Sequence, residues 1–384
     1  MPDLLSTAVA EASEYPERGE APQPMAALTG TVFVLIQFDV CEEIQLARLG
    51  EIISARTVSQ PSMKHPAPGY IRYQRPPVLE QIEPLVLESG ERLHGEIKYY
   101  DYGVLSVVFQ LPFAGDWETL VRLASRWVWD VDFSAHAARI VKQRLERAAP
   151  ALVKPYKEWL SEDYFVFHVR EIAGVPTAIE LLERHGPLVA QIVRGEGTRL
   201  AESESNEVLQ SRISFYPHDL AVIGWNAAFL YDTPAGAETA IQLLEYANSQ
   251  LLEFRHYDEL LTRELEGVYT SLEQGTGPLR RWRMARSANA LYSLLLEVME
   301  LTEHADNAIK FLSDMFAARL YRLAAAKVGV PDYKNLVTQK LDTAGDLYRF
   351  MVDQFNQSRA FLLESAVVII LVIELIFLFR GKVV

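Results

Sequence analysis

Four side chains in the first half of the chain are of the types that enzymes use as acids, bases or ligands: His94, Glu96, Asp101 and His168. In a fold that brought them into one cleft, such groups could transfer protons or hold a metal ion. The histidines, with His218 as the third candidate, are far apart and lack the HxxxH spacing of a metal site, which favours ordinary surface or core positions. No phosphate-loop, nucleophile-elbow, zinc-protease or dinucleotide motif occurs. We therefore predict no catalytic, cofactor-binding or metal-binding residue.

The composition narrows the classes of partner. The formal net charge of −14 argues against a general nucleic-acid-binding protein, because phosphate contacts need a cationic face. A local basic cluster comprises Arg280, Arg281, Arg283 and Arg286. It could bind an acidic partner or nucleic acid, or be a solvated helix end, and we favour the last interpretation. The single cysteine, Cys41, excludes a disulfide framework and a Cys-rich metal site.

Residues 26–232 carry the patterns of an α+β domain with a mixed or antiparallel sheet, after a Pro-, Glu- and Ser-rich arm at residues 1–25 that we predict to be disordered. Asp101–Tyr102–Gly103 separates two β-rich runs and predicts a hairpin over 95–111. Gly186 is expected to end a helix that begins at Pro176. Strands are expected at 31–40, 164–172, 211–215, 220–224 and 227–231, and helices at 42–50, 117–150 and 176–186.

Residues 233–360 change to long helical patterns and predict a three-helix antiparallel coiled-coil stalk. Thr233 can cap the first helix, and apolar residues then recur every three or four positions with one polar exception, Asp258. A second helix over about 279–328 is apolar on two sides, which is typical of a helix packed on two sides. Gly329 and Pro331 interrupt the pattern, and a third helix is expected to continue without a break into the C-terminal apolar run.

That apolar run, residues 361–379, predicts one C-terminal transmembrane helix, because it is long enough to cross about 30 Å of hydrocarbon. A buried core helix is the alternative. Glu364, Arg380 and Lys382 would mark the membrane boundary, the last two within a short basic tail at 380–384. Glu374, inside the span, would contact a second copy of the chain, or alternatively lie near the lipid headgroups close to Arg380. With no N-terminal signal sequence, we expect a single-pass anchor in a bacterial inner membrane, with the bulk of the chain cytoplasmic.

Three blocks of sequence resemble domain-of-unknown-function family 155, the family of the required-for-meiotic-nuclear-division and sporulation-associated membrane proteins. The blocks are GEIKYYDYGVLSVVF, FLYDTP with the following helix that holds Tyr246 and Arg255, and LESAVVIILVIELIF with Leu363, Glu364, Ile373 and Glu374. The resemblance implies an α+β domain, a coiled coil and a C-terminal membrane helix in an oligomer. It supplies no catalytic residue, and Asp258–Glu259–Leu260 departs from the family's Leu-Asn pair.

These patterns favour a membrane-anchored, self-associating scaffold or interaction protein without catalysis. Its partners would be the lipid bilayer, further copies of the chain and a protein that the sequence does not identify. Two alternatives stay open. One is an enzyme with an unrecognised pocket in the α+β domain, and the other is a nucleic-acid or ribosome tether that uses Arg280–Arg286.

Overall fold

The chain forms an α+β fold around one mixed sheet, which confirms the predicted class. The computed structural model describes residues 28–53, 56–57, 76–273, 291–296, 298–299 and 315–379. The strands in these ranges are β1 (Leu28–Ile44), β2 (Arg56–Thr57), β3 (Val78–Val86), β4 (Arg92–Tyr99), β5 (Val104–Gly115), β6 (Leu152–Ile172), β7 (Arg212–Ile213), β8 (Leu220–Ile223) and β9 (Ala227–Tyr231). The labelled helices are α1 (Leu46–Ile52), α2 (Trp117–Trp129), α3 (Phe133–Ala148), α4 (Ala178–Arg194), α5 (Glu202–Gln210), α6 (Pro234–Glu273), α7 (Met315–Val328) and α8 (Val330–Phe379). The predicted disordered arm lies outside the described residues.

The described sheet has nine strands in the order β2-β3-β4-β5-β1-β6-β9-β8-β7. Neighbouring strands are antiparallel except β6 and β9, which are parallel. The long strands β1 and β6 pair along most of their length, with a register shift between Asp39 and Cys41. Both strands extend beyond their predicted bounds, because they pair with each other through polar residues outside the apolar centre, as far as Ile44 and Leu152.

The predicted hairpin is confirmed by β4 and β5, which pair antiparallel on either side of the turn at Asp101–Gly103. Gly103 has a φ of +92°, a conformation that glycine adopts without the steric cost of a side chain. A Cβ atom at this position would overlap the carbonyl oxygen of Cys41. The turn glycine therefore serves both the backbone conformation and the close packing of β1 against the hairpin.

Helices cover both faces of the sheet, and the alternation of side chains along β1 separates the two cores. Val32, Val34 and Ile36 face the core that contains residues of α2, α3 and α4. Leu35 faces the opposite core, which contains residues of α6 and α7. We call these the α2–α4 face and the α6 face. The long helix α6 is therefore a layer of the sheet domain in its first half as well as part of the helical region in its second.

The expected helix stop at Gly186 is wrong, because α4 continues to Arg194. Thr177 and Glu180 form a reciprocal capping box at its start. Gly186 lies where a Cβ atom would approach Leu209 Cδ1 to 3.1 Å, so its small size serves the packing of α4 against α5. The helix ends instead at Gly195, whose φ of +69° places it in the left-handed region typical of helix termini.

The apolar seam predicted along α6 is buried, and its one polar position has a partner. Leu244, Leu251 and Leu261 belong to the core on the α6 face. The carboxylate of Asp258 lies 2.6 Å from Nζ of Lys340 on α8. Thr233 accepts a hydrogen bond from the Gly236 amide at 3.3 Å, as expected of an N-cap residue. Helix α6 contacts both α7 and α8, which Gly329 separates.

The predicted membrane anchor is wrong. Within the described part of the chain, no helix combines the length and the apolar character needed to cross a bilayer. Helix α8 does run unbroken to Phe379, as expected. Two carboxylates with exposed side chains, Glu364 and Glu374, lie among its described apolar residues, and an ionised carboxylate is costly inside a bilayer. The predictions of a transmembrane helix at 361–379 and of a single-pass inner-membrane localisation fall with it.

Candidate functional site

A row of polar side chains crosses four central strands on the α6 face. Lys98 on β4 is opposite Ser106 on β5, Ser106 is opposite Gln37 on β1, and Gln37 is opposite Glu162 on β6. Ser106 is fully buried and Gln37 is 1% exposed. The adjacent row is apolar at Leu35 and Val108, so the polar row interrupts a hydrophobic interface. We call it the polar row.

Glu245 of α6 joins the polar row to the helix. Its carboxylate Oε2 accepts a hydrogen bond from Lys98 Nζ at 2.6 Å, and its backbone oxygen accepts one from Gln37 Nε2 at 2.8 Å. Burial works to lower the pKa of Lys98, but the attraction of Glu245 and the hydrogen bond to it dominate, so the pKa lies above its usual value. Lys98 is thus a buried cation at neutral pH. Glu96, 3.9 Å from the same ammonium group, has a pKa raised by burial against the lowering effect of Lys98.

Three oxygen atoms around this ion pair have no hydrogen-bond partner among the described residues. They are Gln37 Oε1, Ser106 Oγ and Glu245 Oε1, all buried. A buried polar atom without a partner typically costs about 1–3 kcal/mol. The polar row therefore reduces the stability of the interface unless other groups satisfy these atoms.

A second polar cluster lies where β1 and β6 meet the middle of α6. Asp39 Oδ2 is 2.9 Å from Nδ1 of His256, and the imidazole stacks on the Tyr156 ring with centroids 4.4 Å apart. The hydroxyl of Tyr257 donates a hydrogen bond of 2.6 Å to Glu253 Oε2. Glu253 Oε1 is buried without a partner in the described ranges. We call these residues, with Cys41, the Asp39–Glu253 cluster.

Burial dominates the electrostatics of the Asp39–Glu253 cluster. It raises the pKa of Glu253 well above the usual value, the negative charge of Asp39 raises it further, and the Tyr257 hydrogen bond opposes both. Burial likewise raises the pKa of Asp39, against the lowering effect of His256. The thiol of Cys41 has a pKa of about 12, raised by burial and by Asp39. The cluster can store or exchange a proton on a carboxyl group, whereas the protonated thiol is a poor nucleophile.

The four residues first considered for catalysis do not converge. His94 and His168 lie on β4 and β6, three strands apart and so about 14 Å across the sheet. His168 Nε2 is 2.9 Å from the Asp232 carbonyl oxygen, and burial lowers its pKa. Asp101 lies in the hairpin turn, and only Glu96 approaches the polar row. His218 Nδ1 faces the Pro176 carbonyl oxygen at 3.3 Å. Among the described residues no group of three or more His, Cys, Asp and Glu side chains is placed to hold a metal ion.

Only some of the predicted contact residues at the C-terminus lie within the described residues. Glu364 and Glu374 lie on α8 with exposed side chains. Arg380 and Lys382 lie outside the described residues. The same holds for the basic cluster of Arg280, Arg281, Arg283 and Arg286.

Sequence reasoning missed Gln37, Asp39, Glu245, Glu253 and His256. The sequences of β1 and α6 each contain a pattern that could have indicated these residues. Gln37 and Asp39 occupy alternate positions in an otherwise apolar strand, and so lie on one face. Glu245 and Glu253 are two turns apart on α6, on the side of the helix next to its apolar seam.

The comparisons with known proteins correct the family assignment. The resemblance to domain-of-unknown-function family 155 is wrong, since the matching family is a different one. The first block of that resemblance, GEIKYYDYGVLSVVF, forms the β4–β5 hairpin. Its turn glycine is a general requirement of the backbone rather than a family signature.

Residues 29–238 match the family described as "Uncharacterized protein MJ0711, N-terminal domain". The chain is also similar to the uncharacterized protein MJ0711 of Methanocaldococcus jannaschii. The two are 20% identical over 237 residues, which cover 62% of this chain and 72% of the relative. No solved structure matches the chain. Because the matched residues make up more than half of the chain, it belongs to the family of the MJ0711 N-terminal domain.

Proposed function

We propose that this protein is a self-associating scaffold or interaction protein that carries its α+β domain on a three-helix bundle and performs no catalysis. Copies of the chain would assemble through residues 363–378 of α8, which we call the apolar segment. The observation that carries the proposal is the exposure of this segment, whose large apolar side chains are 46% to 69% exposed. Contiguous apolar surface of this kind is typical of an interaction site.

The bundle is supported by contacts that α6 makes with both later helices. Tyr321 of α7 donates a hydrogen bond to Gln250, and Lys340 of α8 pairs with Asp258, about two turns further along α6. Leu265 and Val268, later on α6, share a core with Ala344 and Met351. Contact positions thus advance along α6 and α8 together, which is the pattern of the first and third helices in an up-down-up bundle. Among the residues that the structure describes, the apolar segment follows Met351, the last α8 residue that shares a core with α6.

The area of the apolar segment is sufficient for association. Its exposed Leu, Ile, Val and Phe side chains leave roughly 1,000 Å² of surface per copy, compared with about 800 Å² per partner in a standard interface. At about 25 cal/mol per Å², burial of half of that surface contributes roughly 12 kcal/mol per copy before the cost of association. A second copy of the chain offers a matching surface, because the segment is apolar except at Glu364, Ser365 and Glu374 and its neighbour would be the same.

The mass of the purified full chain at about 10 μM, measured by light scattering after size exclusion, tests the proposal. We expect an oligomer, which the double variant Ile369→Asp/Ile373→Asp should weaken or dissociate. Leu336→Asp is the matched control, because Leu336 is a 43% exposed residue of the same helix outside the segment. A wild-type monomer, or equal effects of the two changes, would overturn the proposal. Flotation with phosphatidylcholine vesicles in place of self-association would overturn it as well.

A substitution of Glu374 distinguishes two possible arrangements of this oligomer. If its carboxyl group contacts the neighbouring copy, Glu374→Leu should weaken association although it adds apolar surface. If Glu374 lies on the outer side, the variant should leave the oligomer intact or strengthen it. Glu364, near the start of the segment, provides the comparison through Glu364→Leu.

A further inference from the structure

The Asp39–Glu253 cluster lies where α6 makes its last polar contacts with the sheet. Asp39 of β1 and Tyr156 of β6 contact His256. Two residues later, Asp258 already pairs with Lys340 of α8. The cluster therefore occupies the junction between the part of α6 that covers the sheet and the part that belongs to the bundle.

Several titratable groups face the Glu253 carboxyl group from the elements packed around it. They are Asp39 and Cys41 from β1 and Tyr257 from α6. Tyr156 from β6 acts on Tyr257, and His256 from α6 pairs with Asp39. The ion pair of Arg255 with Glu162 crosses the same interface on the side of the polar row. His256, which can carry a positive charge, is already engaged by Asp39. A negative charge on Glu253 would thus be a second charge next to Asp39 in a buried site.

We propose that Glu253 is a proton-dependent latch that holds the middle of α6 against β1 and β6. With its proton in place, Glu253 is neutral and the cluster contains the single carboxylate of Asp39. When the proton leaves, two carboxylates repel each other at a place where Asp39 is 2% exposed and the Glu253 Oε1 atom is buried, and α6 separates from the sheet around residues 249–257. The latch thereby links the attachment of the bundle to the proton concentration.

The direction of the pH dependence follows from the environment of the carboxyl group. Because the folded-state pKa of Glu253 lies above the ordinary value of 4.5, the closed state binds the proton more tightly than the open state. The stabilisation is therefore fully present below pH 4.5 and is lost as the pH rises through the folded-state pKa. For one proton, the opening constant rises up to about tenfold per pH unit within this window and then levels off.

Hydrogen exchange of the full chain between pH 5 and 9, corrected for the intrinsic exchange rate, tests the latch. Amides of residues 249–257 should lose protection as the pH rises in the wild type. Glu253→Gln, which is permanently neutral and of the same shape, should lower the slope by about one proton. Glu259→Gln is the matched control, an exposed glutamate on the same helix, and should keep the wild-type slope. A flat wild-type profile, or an unchanged slope in Glu253→Gln, would overturn the proposal.

A second variant keeps the test decisive if Glu253→Gln does not fold. Tyr257→Phe removes the hydrogen bond that favours the charged form of Glu253. The pH range in which protection falls should then extend to higher pH. An unchanged range would show that the Glu253 proton does not control the opening.

Discussion

Replacing Lys98 with methionine should destabilise the protein more than any surface substitution, because it leaves a buried carboxylate without a counter-ion. Glu245 is 1% exposed, and Lys98 is the donor to its Oε2 atom. Its other carboxylate oxygen is already without a partner in the described residues. Breaking one side of a buried ion pair typically costs about 3–5 kcal/mol. In a domain of this size, that loss corresponds to a decrease in Tm of roughly 10 °C.

The measurement is urea unfolding at pH 7, followed by circular dichroism. Because the folded-state pKa of Lys98 is raised above its ordinary value of 10.5, its stabilisation is fully present at pH 7 and is lost only as the pH rises through the folded-state pKa. Lys98→Met/Glu245→Met removes both charges and should recover most of the loss. Lys142→Met, at an exposed position of α3, should change the unfolding free energy by less than about 0.5 kcal/mol. Equal losses in Lys98→Met and Lys142→Met, or a double variant as unstable as the sum of the single ones, would refute the reasoning.

Three further predictions concern single positions and use the same unfolding assay. Ser106→Ala should stabilise the protein by about 1 kcal/mol, because it removes a buried hydroxyl that has no partner in the described chain, and a loss of stability would contradict this reading. Thr177→Ala should cost about 1 kcal/mol, because it removes the hydroxyl half of the capping box with Glu180, and an unchanged midpoint would count against it. Gly103→Ala should cost more than Thr177→Ala, because the Cβ atom adds a collision with the Cys41 carbonyl oxygen to an unfavourable φ of +92°.

Local patterns predicted most of the elements but not the contacts between them. The hairpin turn at Gly103 and the seam along α6 depend on residues close in sequence, and both were predicted. Gly186 was expected to end a helix because of its residue type. Its actual role is in packing, and only the position of Leu209 next to it in the fold reveals that role. The C-terminal run was correctly expected to be a continuous helix, but no helix in the described part of the chain has the length and apolar character that crossing a membrane requires.

The candidate site was harder to predict because its partners are distant in the chain. Gln37 and Glu245 are 208 positions apart, and neither residue has a local motif around it. A polar residue in an apolar strand indicates that a buried partner exists without identifying the partner. His94 and His168 drew attention by residue type, but the strand order separates them.

The position of α6 decides where this protein can be divided. The family match ends at residue 238, in the first turns of helix α6, which is 40 residues long. A fragment cut at that boundary would keep the sheet and lose the layer that covers Leu35, Val108 and Val166, all at most 2% exposed. Such a fragment would expose a hydrophobic sheet face and aggregate. The smallest autonomous unit must therefore include α6 at least as far as Leu261, beyond the segment by which the family is recognised.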